Sequence, residues 1–275
     1  MLEDGLIQRA AATKDRESTL FFFATALGLI WLFQLPALLA KWGIIAGPVD
    51  RYVLLGVLGA FSPLIAAILA ARLESGGAGV RALFARFRIG LVSAFWYLVA
   101  LGIFAAIYLA GTAAYRLLGG VDAGRWLYLP ETPQHISGIF LMPLIEEPGW
   151  RGFALPRLQP RYGALGASLV LGVAWAFWHT TMFILQGATP LIFAVSFANI
   201  IVGSVVFSWI YNRTRGSLLL AVLAHVGVHW QNPYRALPEN VTPFLVYTVA
   251  IGVAACALVL LDRKIWRNDR VLPRD

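Results

Sequence analysis

Residues 162–212 read YGALGASLVLGVAWAFWHTTMFILQGATPLIFAVSFANIIVGSVVFSWIYN, and this stretch contains no Asp, Glu, Lys or Arg. A membrane-spanning helix needs roughly 20 apolar residues, so the stretch is long enough for two of them. Its QGATP segment, residues 186–190, combines glycine and proline, which interrupt regular structure. We therefore predict two consecutive transmembrane helices here, over residues 162–185 and 190–212.

The composition of the whole chain indicates an integral membrane protein. Of its 275 residues, 59% are hydrophobic and 13% are charged, whereas soluble domains carry about 25% charged residues. The mean hydropathy is +0.73. We expect an all-α, polytopic membrane protein that forms a single integral-membrane domain over residues 1–275. Eight transmembrane helices are predicted, over about 19–40, 52–71, 90–115, 136–157, 162–185, 190–212, 216–231 and 243–261.

Basic residues predict the orientation of these helices. With eight spans and a cytoplasmic N-terminus, 17 of the 22 Lys and Arg residues fall on the cytoplasmic side, as the positive-inside rule requires. Residues 1–18 then form a cytoplasmic N-terminal segment, and the C-terminus is cytoplasmic as well. The basic residues are scattered among loops, so we expect them to face anionic lipid headgroups and not nucleic acid. The size of the chain and its start without a signal peptide favour a multi-pass protein of a prokaryotic inner membrane.

Apart from Arg157 at the cytoplasmic end of the fourth span, six charged or histidine residues lie within the predicted spans, although such groups are costly in hydrocarbon and typically mark a functional site. They are Glu146, Glu147, Arg151, His179, His225 and His229. They belong to the fourth, fifth and seventh predicted helices. Counted along each helix at 1.5 Å per residue, Glu146 and His225 are expected near the middle of the bilayer. His179 is expected somewhat nearer the outer side and His229 one turn beyond His225, so the four can meet if the helices pack together.

The two neighbouring glutamates have different expected partners. Glu147 and Arg151 are four residues apart, so they can pair on one helical face. Glu146 points about 100° away and is free to act as a base. Pro148 and Gly149 should kink this helix, and irregular backbone is tolerated at membrane depth only where protein or a wet cavity satisfies it. A purely structural role, in which the Glu147–Arg151 pair joins two helices, fits the same pattern.

The histidines and the missing motifs narrow the chemistry. His225 and His229 lie on one helical face, at a spacing that metal ligands also use. His179 fits either a catalytic role or an interhelical hydrogen bond. No histidine is followed by Glu, which excludes an HExxH zinc protease, and no Asp lies within a span. Ser204 and Ser208 lie in no recognisable nucleophile turn. A glutamate-plus-histidine site acting on water remains, with a proton relay or transporter as an alternative.

Three segments in this order resemble the motifs of a known family of membrane proteins. EEPGWRGFALPRL, residues 146–158, resembles the EExxxR motif; WAFWH, residues 175–179, resembles FxxxH; and HVGVH, residues 225–229, resembles HxxxN. The family is the CPBP family (CAAX protease and bacteriocin-processing proteins), which includes the type II CAAX prenyl endopeptidases. Trp175 replaces the phenylalanine and His229 the asparagine. The resemblance covers about residues 136–232, the expected catalytic core.

The resemblance implies an intramembrane endopeptidase acting on a membrane-associated peptide or protein, including prenylated ones. Glu146 would be the general base that activates a water, and His179 would help to hold that water. Glu147 and Arg151 would shape the site or hold the substrate backbone.

His225 and the residue at 229 would form the oxyanion hole in this family, which donates hydrogen bonds to the tetrahedral intermediate. Asparagine donates at any pH, whereas His229 donates from the required nitrogen only in one tautomer or when protonated. Two alternatives follow from the presence of histidine instead of asparagine at position 229. Glu146, His179, His225 and His229 could form a divalent metal site, for example for zinc. The chain could also be a proteolytically inactive scaffold or immunity protein that binds a peptide in the same pocket.

Overall fold

The computed structural model describes residues 2–90, 92–121, 132–230 and 241–267. Regular structure in these ranges is helical, and they contain no β-strand, which confirms the predicted all-α class. A 3-10 turn, Val49–Tyr52, precedes α2, and a π-helical segment, Pro148–Ala154, joins α5 to α6. The α-helices are α1 (Leu2–Lys41), α2 (Val53–Gly59), α3 (Ser62–Ala85), α4 (Ala94–Leu117), α5 (Pro133–Glu147), α6 (Leu155–Trp178), α7 (Thr180–Leu185), α8 (Pro190–Arg213), α9 (Leu218–Trp230), α10 (Thr242–Leu261) and α11 (Arg263–Trp266).

Within the described residues, six helical stretches are long and apolar enough to cross a membrane, which confirms an integral, polytopic membrane protein. One of them, His135–Leu185, contains both the fourth and the fifth predicted spans. The seventh predicted span corresponds to α9, which is apolar but has only 13 residues. The number eight and the side of the membrane on which the termini lie stay predictions. The six stretches are Thr13–Lys41, Val49–Ala85, Ala94–Leu117, His135–Leu185, Pro190–Arg213 and Thr242–Leu261.

The fourth and fifth predicted spans are the two arms of a hairpin. Gly163 interrupts α6 with φ 68° and ψ 170°, a backbone conformation that glycine adopts without steric cost. The rings of Trp150 and Trp178, which lie before and after Gly163 at similar separations, have centroids 6.2 Å apart. The chain therefore reverses at Gly163, and the second half of α6 returns against the π-helical segment. The next predicted break, residues 186–190, separates α7 from α8.

The predicted irregularity at Pro148 and Gly149 takes the form of a π-helical segment. Proline has no N–H for the regular hydrogen-bond ladder, and every residue of Pro148–Ala154 is buried. Gly149 lies directly against α3, where an added Cβ would meet the carbonyl oxygen of Pro63 at 2.6 Å. Only glycine permits this approach, which holds the end of α5 deep inside the helical bundle.

The N-terminal segment is continuous with the first span, because α1 begins at Leu2. A cluster of ion pairs ties α1 to α3 and α6 at one end of the bundle. Arg161 Nη2 lies 3.1 Å from Asp15 Oδ2, and Arg157 Nη2 lies 2.5 Å from Glu74 Oε2. Elsewhere α6 packs against α8, α4 against α9, and α10 against both α4 and α8. These pairings surround the residues of the candidate site.

Candidate active site

Two buried carboxylates end α5, and they have different partners. Glu146 is 3% exposed and Glu147 is fully buried. Glu146 Oε2 accepts a hydrogen bond of 2.7 Å from Trp175 Nε1. Glu147 Oε1 accepts one of 3.0 Å from Arg151 Nη1, and the two form an ion pair within one helical turn. Glu146 also lies on the wall of a cavity, so it is the carboxylate available for chemistry.

Arg151 is enclosed on all sides and does not reach that cavity. Its guanidinium carbon lies 4.4 Å from the ring centroid of Trp175 and 4.5 Å from that of Phe207. Arg151 Nη2 donates to Ser204 Oγ at 3.4 Å. Both Arg151 and Glu147 are 0% exposed, and neither lines the cavity. The pair therefore lies behind the cavity wall, and its expected roles, to shape the site or hold the substrate backbone, stay predictions.

His225 connects this pair to the cavity. Its Nδ1 lies 2.8 Å from Glu147 Oε1. A carboxylate that already pairs with an arginine only accepts hydrogen bonds, so Nδ1 carries the proton and a neutral ring keeps its lone pair on Nε2. This Nε2 lies 3.1 Å from Nε2 of His229. The two rings are stacked, with centroids 4.8 Å apart and planes inclined by 24°.

The acid and two of the predicted imidazoles meet in space. One atom from each of Glu146, His225 and His229 lies within 4.8 Å of the other two. Glu146 comes from α5, whereas both histidines come from α9. Glu146 and His225 are buried, and His229 is half-buried. The catalytic roles that the resemblance implies for these residues stay predictions.

His179 lies on the same cavity wall but outside this group of three. It follows the last residue of α6, and its Nδ1 donates to the carbonyl oxygen of Trp175 at 2.9 Å. A neutral His179 therefore keeps its lone pair on Nε2. Its ring packs edge-on against Trp178, with centroids 4.6 Å apart. Among the described residues the group of three does not include His179, and the predicted set of four metal ligands stays a prediction.

The cavity itself has a volume of about 680 Å³ and lies among the apolar helices. This size is typical of sites for small molecules or side chains, which range over about 300–1,000 Å³. Its wall is mostly apolar, with polar groups at Glu146 and the three histidines described above and at a few further positions. The apolar wall residues include Ile30, Phe104, Met142, Phe207, Phe244 and Ile251.

Two features of the site were not predicted from the sequence. The contact between Glu147 and His225 joins residues 78 positions apart, and no local pattern signals it. Trp175 was noted only as a replacement for phenylalanine, although its indole N–H is the hydrogen-bond donor to Glu146. Ser204, considered above as a nucleophile, donates its hydroxyl proton to the carbonyl oxygen of Ser168 at 2.9 Å. Ser204 therefore has a structural role beside Arg151.

The segment of the chain that contains these residues is similar to known proteins. Residues 129–231 match the family model described as type II CAAX prenyl endopeptidase Rce1-like. A curated relative, CAAX prenyl protease 2 of Methanococcus maripaludis, is 26% identical over 136 residues, which cover 46% of this chain and 49% of the relative. The chain thus aligns with about half the length of this curated relative.

The fold and the site define a multi-pass membrane protein with an acid and imidazoles buried among its helices. The family match begins before α5 and ends just after α9, so it contains the two glutamates, the arginine and the three histidines of the site. Over residues 129–231 the chain is therefore similar to the type II CAAX prenyl endopeptidases, which supports the resemblance found in its motifs.

Proposed function

We propose that this protein is an intramembrane endopeptidase in which Glu146 activates a water for attack on a peptide bond. The observation that carries the proposal is the position of Glu146. It is a buried carboxylate on the wall of a cavity among the spans, within 4.8 Å of two imidazoles on another helix. The similarity of residues 129–231 to the type II CAAX prenyl endopeptidases supports hydrolysis of peptides over other uses of such a site.

In the proposed reaction a water binds between Glu146 and His179. Both side chains line the cavity, and His179 offers its Nε2 lone pair because Nδ1 is bonded to the Trp175 carbonyl. Glu146 takes one proton while the water oxygen bonds to the carbonyl carbon of the substrate. The same carboxyl group then gives the proton to the leaving nitrogen as the C–N bond breaks. The second proton of the water stays on the new carboxyl group, so the products are a carboxylic acid and an amine, which exchange this proton to become a carboxylate and an ammonium ion.

The negative charge on the tetrahedral intermediate needs hydrogen-bond donors. With Nδ1–H bonded to Glu147, His225 donates from Nε2 only as the imidazolium ion. The carboxylate of Glu147 stabilises that ion, since opposite charges attract strongly where water is excluded. We assign His225 and His229 to this role, with Glu147 and Arg151 as supporting residues.

The proposed substrate is a membrane-associated peptide or protein, and prenylated C-terminal tails are one class of it. The curated relative is named as a CAAX prenyl protease, and the largely apolar cavity wall suits a lipid-modified or membrane-embedded segment. The cavity lies among helices that cross the bilayer, so such a segment reaches it from the membrane. We place the protein in a prokaryotic inner membrane, with the relative from Methanococcus maripaludis as support.

Cleavage of defined peptides by purified protein tests this proposal. The chain is reconstituted in liposomes with a panel of prenylated and unmodified C-terminal peptides, and products are identified by mass spectrometry. We expect cleavage by the parent chain and by the control Glu17→Ala, which alters an exposed glutamate of α1. We expect none by Glu146→Ala. Equal cleavage by the Glu146 variant would refute the mechanism.

A protein that binds a peptide in this pocket without cleaving it is the second candidate function. The observation that favours it is the contact of 3.1 Å between Nε2 of His225 and Nε2 of His229, which engages each nitrogen with the other instead of with an intermediate. The variant His229→Asn discriminates between the two functions. Peptide cleavage that appears only in this variant would establish the non-proteolytic function for the parent chain.

A further inference from the structure

We infer that Glu146, His225 and His229 form a binding site for a zinc-like divalent cation. The family motif that this chain resembles has asparagine at the position of His229. His229 as the third ligand is therefore a feature of this chain. The inference concerns binding by the resting protein, and it holds whether or not the chain cleaves peptides.

The distances between the side chains fit a metal centre. Two nitrogen ligands about 2.0–2.1 Å from a tetrahedral zinc ion are about 3.3 Å apart, and the Nε2 atoms of His225 and His229 are 3.1 Å apart. One carboxylate oxygen of Glu146 and one ring nitrogen of each histidine lie within 4.8 Å of one another. Rotation about the flexible torsions of the glutamate brings it closer. The adjoining cavity leaves room for a water as the fourth ligand.

Supporting hydrogen bonds hold two of these ligands in the form that a metal requires. A metal-binding histidine usually donates its other N–H to a carboxylate or carbonyl, which fixes the tautomer. His225 makes this contact from Nδ1 to Glu147, so Nε2 is the nitrogen with the lone pair. Glu146 accepts from Trp175 with Oε2 only, which leaves lone pairs on its other oxygen.

The charges at the site favour a cation as well. Glu147 is balanced by Arg151, whereas Glu146 makes no ion pair within the part of the chain that the structure describes. An isolated carboxylate is costly to bury, and a divalent ion beside Glu146 would offset its charge. In this group, Nε2 of a neutral His225 and the second carboxylate oxygen of Glu146 carry lone pairs, and lone pairs attract cations.

Metal binding and the proposed hydrolysis use the same carboxylate. A cation bound to Glu146 withdraws electron density from the carboxylate and lowers the basicity that proton transfer from water needs. We therefore assign hydrolysis to the metal-free protein.

Metal titration of the full chain in detergent tests the inference. The protein is purified through an affinity tag without histidine and freed of metal by chelation. It is then titrated with Co²⁺, whose visible absorption reports tetrahedral coordination, and with Zn²⁺ as competitor. Bound metal per chain is measured by elemental analysis. These readouts do not depend on catalysis, so a failure of the proposed function leaves them unaffected.

Three variants test whether the proposed side chains are the ones that bind the metal. His229→Asn and Glu146→Gln each remove one ligand, while His179→Asn removes an imidazole of the same cavity that lies outside the group of three. Only variants that elute as the parent does in gel filtration are compared. If one ligand variant misfolds, the other serves in its place.

We expect one tightly bound cation per chain in the parent and in His179→Asn, and affinity at least about tenfold weaker in both ligand variants. A parent chain without stoichiometric binding would overturn the inference. So would equal binding by the ligand variants, because the two histidines would then simply be hydrogen-bonded to each other.

Discussion

Nδ1 of His225 lies 2.8 Å from Oε1 of Glu147, and the same carboxylate oxygen accepts from Arg151 at 3.0 Å. One buried oxygen therefore links α9 to the π-helical segment and fixes which nitrogen of His225 faces the site. The second glutamate of the EE pair is thus a positioning residue for the histidine, although it does not line the cavity.

Glu147→Gln tests this positioning role. The amide keeps the size of the side chain but loses the charge that holds His225 Nδ1–H and stabilises the imidazolium ion. We expect kcat for peptide cleavage to fall by about 10–100-fold, with KM within about twofold of the parent because residue 147 does not touch the cavity. Steady-state kinetics measure both. A raised KM at unchanged kcat would instead place Glu147 in contact with the substrate.

Arg151→Met should destabilise the protein strongly. Methionine has a similar length but no charge, so the fully buried carboxylate of Glu147 loses its ionic partner. Removal of one member of a buried ion pair typically costs about 3–5 kcal/mol. Unfolding in mixed detergent micelles measures the effect, with Arg116→Met on the exposed face of α4 as the matched control. Equal unfolding midpoints for the two variants would show that the pair contributes little to stability.

Gly149→Ala should disturb the contact between the π-helical segment and α3. The added methyl group would lie 2.6 Å from the carbonyl oxygen of Pro63, and overpacking of this kind costs about 1–3 kcal/mol. Gly138→Ala on α5 is the control, since nothing lies within 4 Å of its Cβ position. We expect a lower unfolding temperature for the Gly149 variant alone. An equal decrease in unfolding temperature in both variants would show that the contact with Pro63 is not the cause.

Removal of metal by chelation distinguishes the proposed role of Glu146 as a general base from its proposed role as a metal ligand. We expect dialysis against EDTA to leave peptide cleavage at least as fast as before, because Glu146 acts as a base without metal. Zinc at saturating concentration should slow it. Activity that is lost on chelation and restored by zinc would contradict the assignment of hydrolysis to the metal-free protein.

The sequence predicted the elements of the fold because membrane spans leave a local signature. The charge-free stretch over residues 162–212 and its break before Pro190 appear in the structure as helical segments on either side of residues 186–189. The α9 helix was harder to predict, because its 13 residues are fewer than a full span needs. The N-terminal segment contains charges of both signs and was not assigned to a helix, yet α1 runs through it to Lys41.

The sequence also indicated which polar residues to examine, because charge is rare at membrane depth. The pairing of Glu147 with Arg151 follows from their spacing along the chain, and the structure shows it. The contacts of Glu147 with His225 and of Glu146 with Trp175 depend instead on how α5, α6 and α9 pack together. The separation of His179 from the other two histidines depends on the same packing.

The isosteric variant Glu146→Gln tests the central claim, that this carboxylate is the base for water, most directly. Single-turnover cleavage of one peptide is compared between parent and variant, after gel filtration and unfolding have shown that both are equally folded. We expect the rate constant to fall by about 100-fold to 10,000-fold, the usual contribution of a general base. A rate constant within tenfold of the parent would contradict the account.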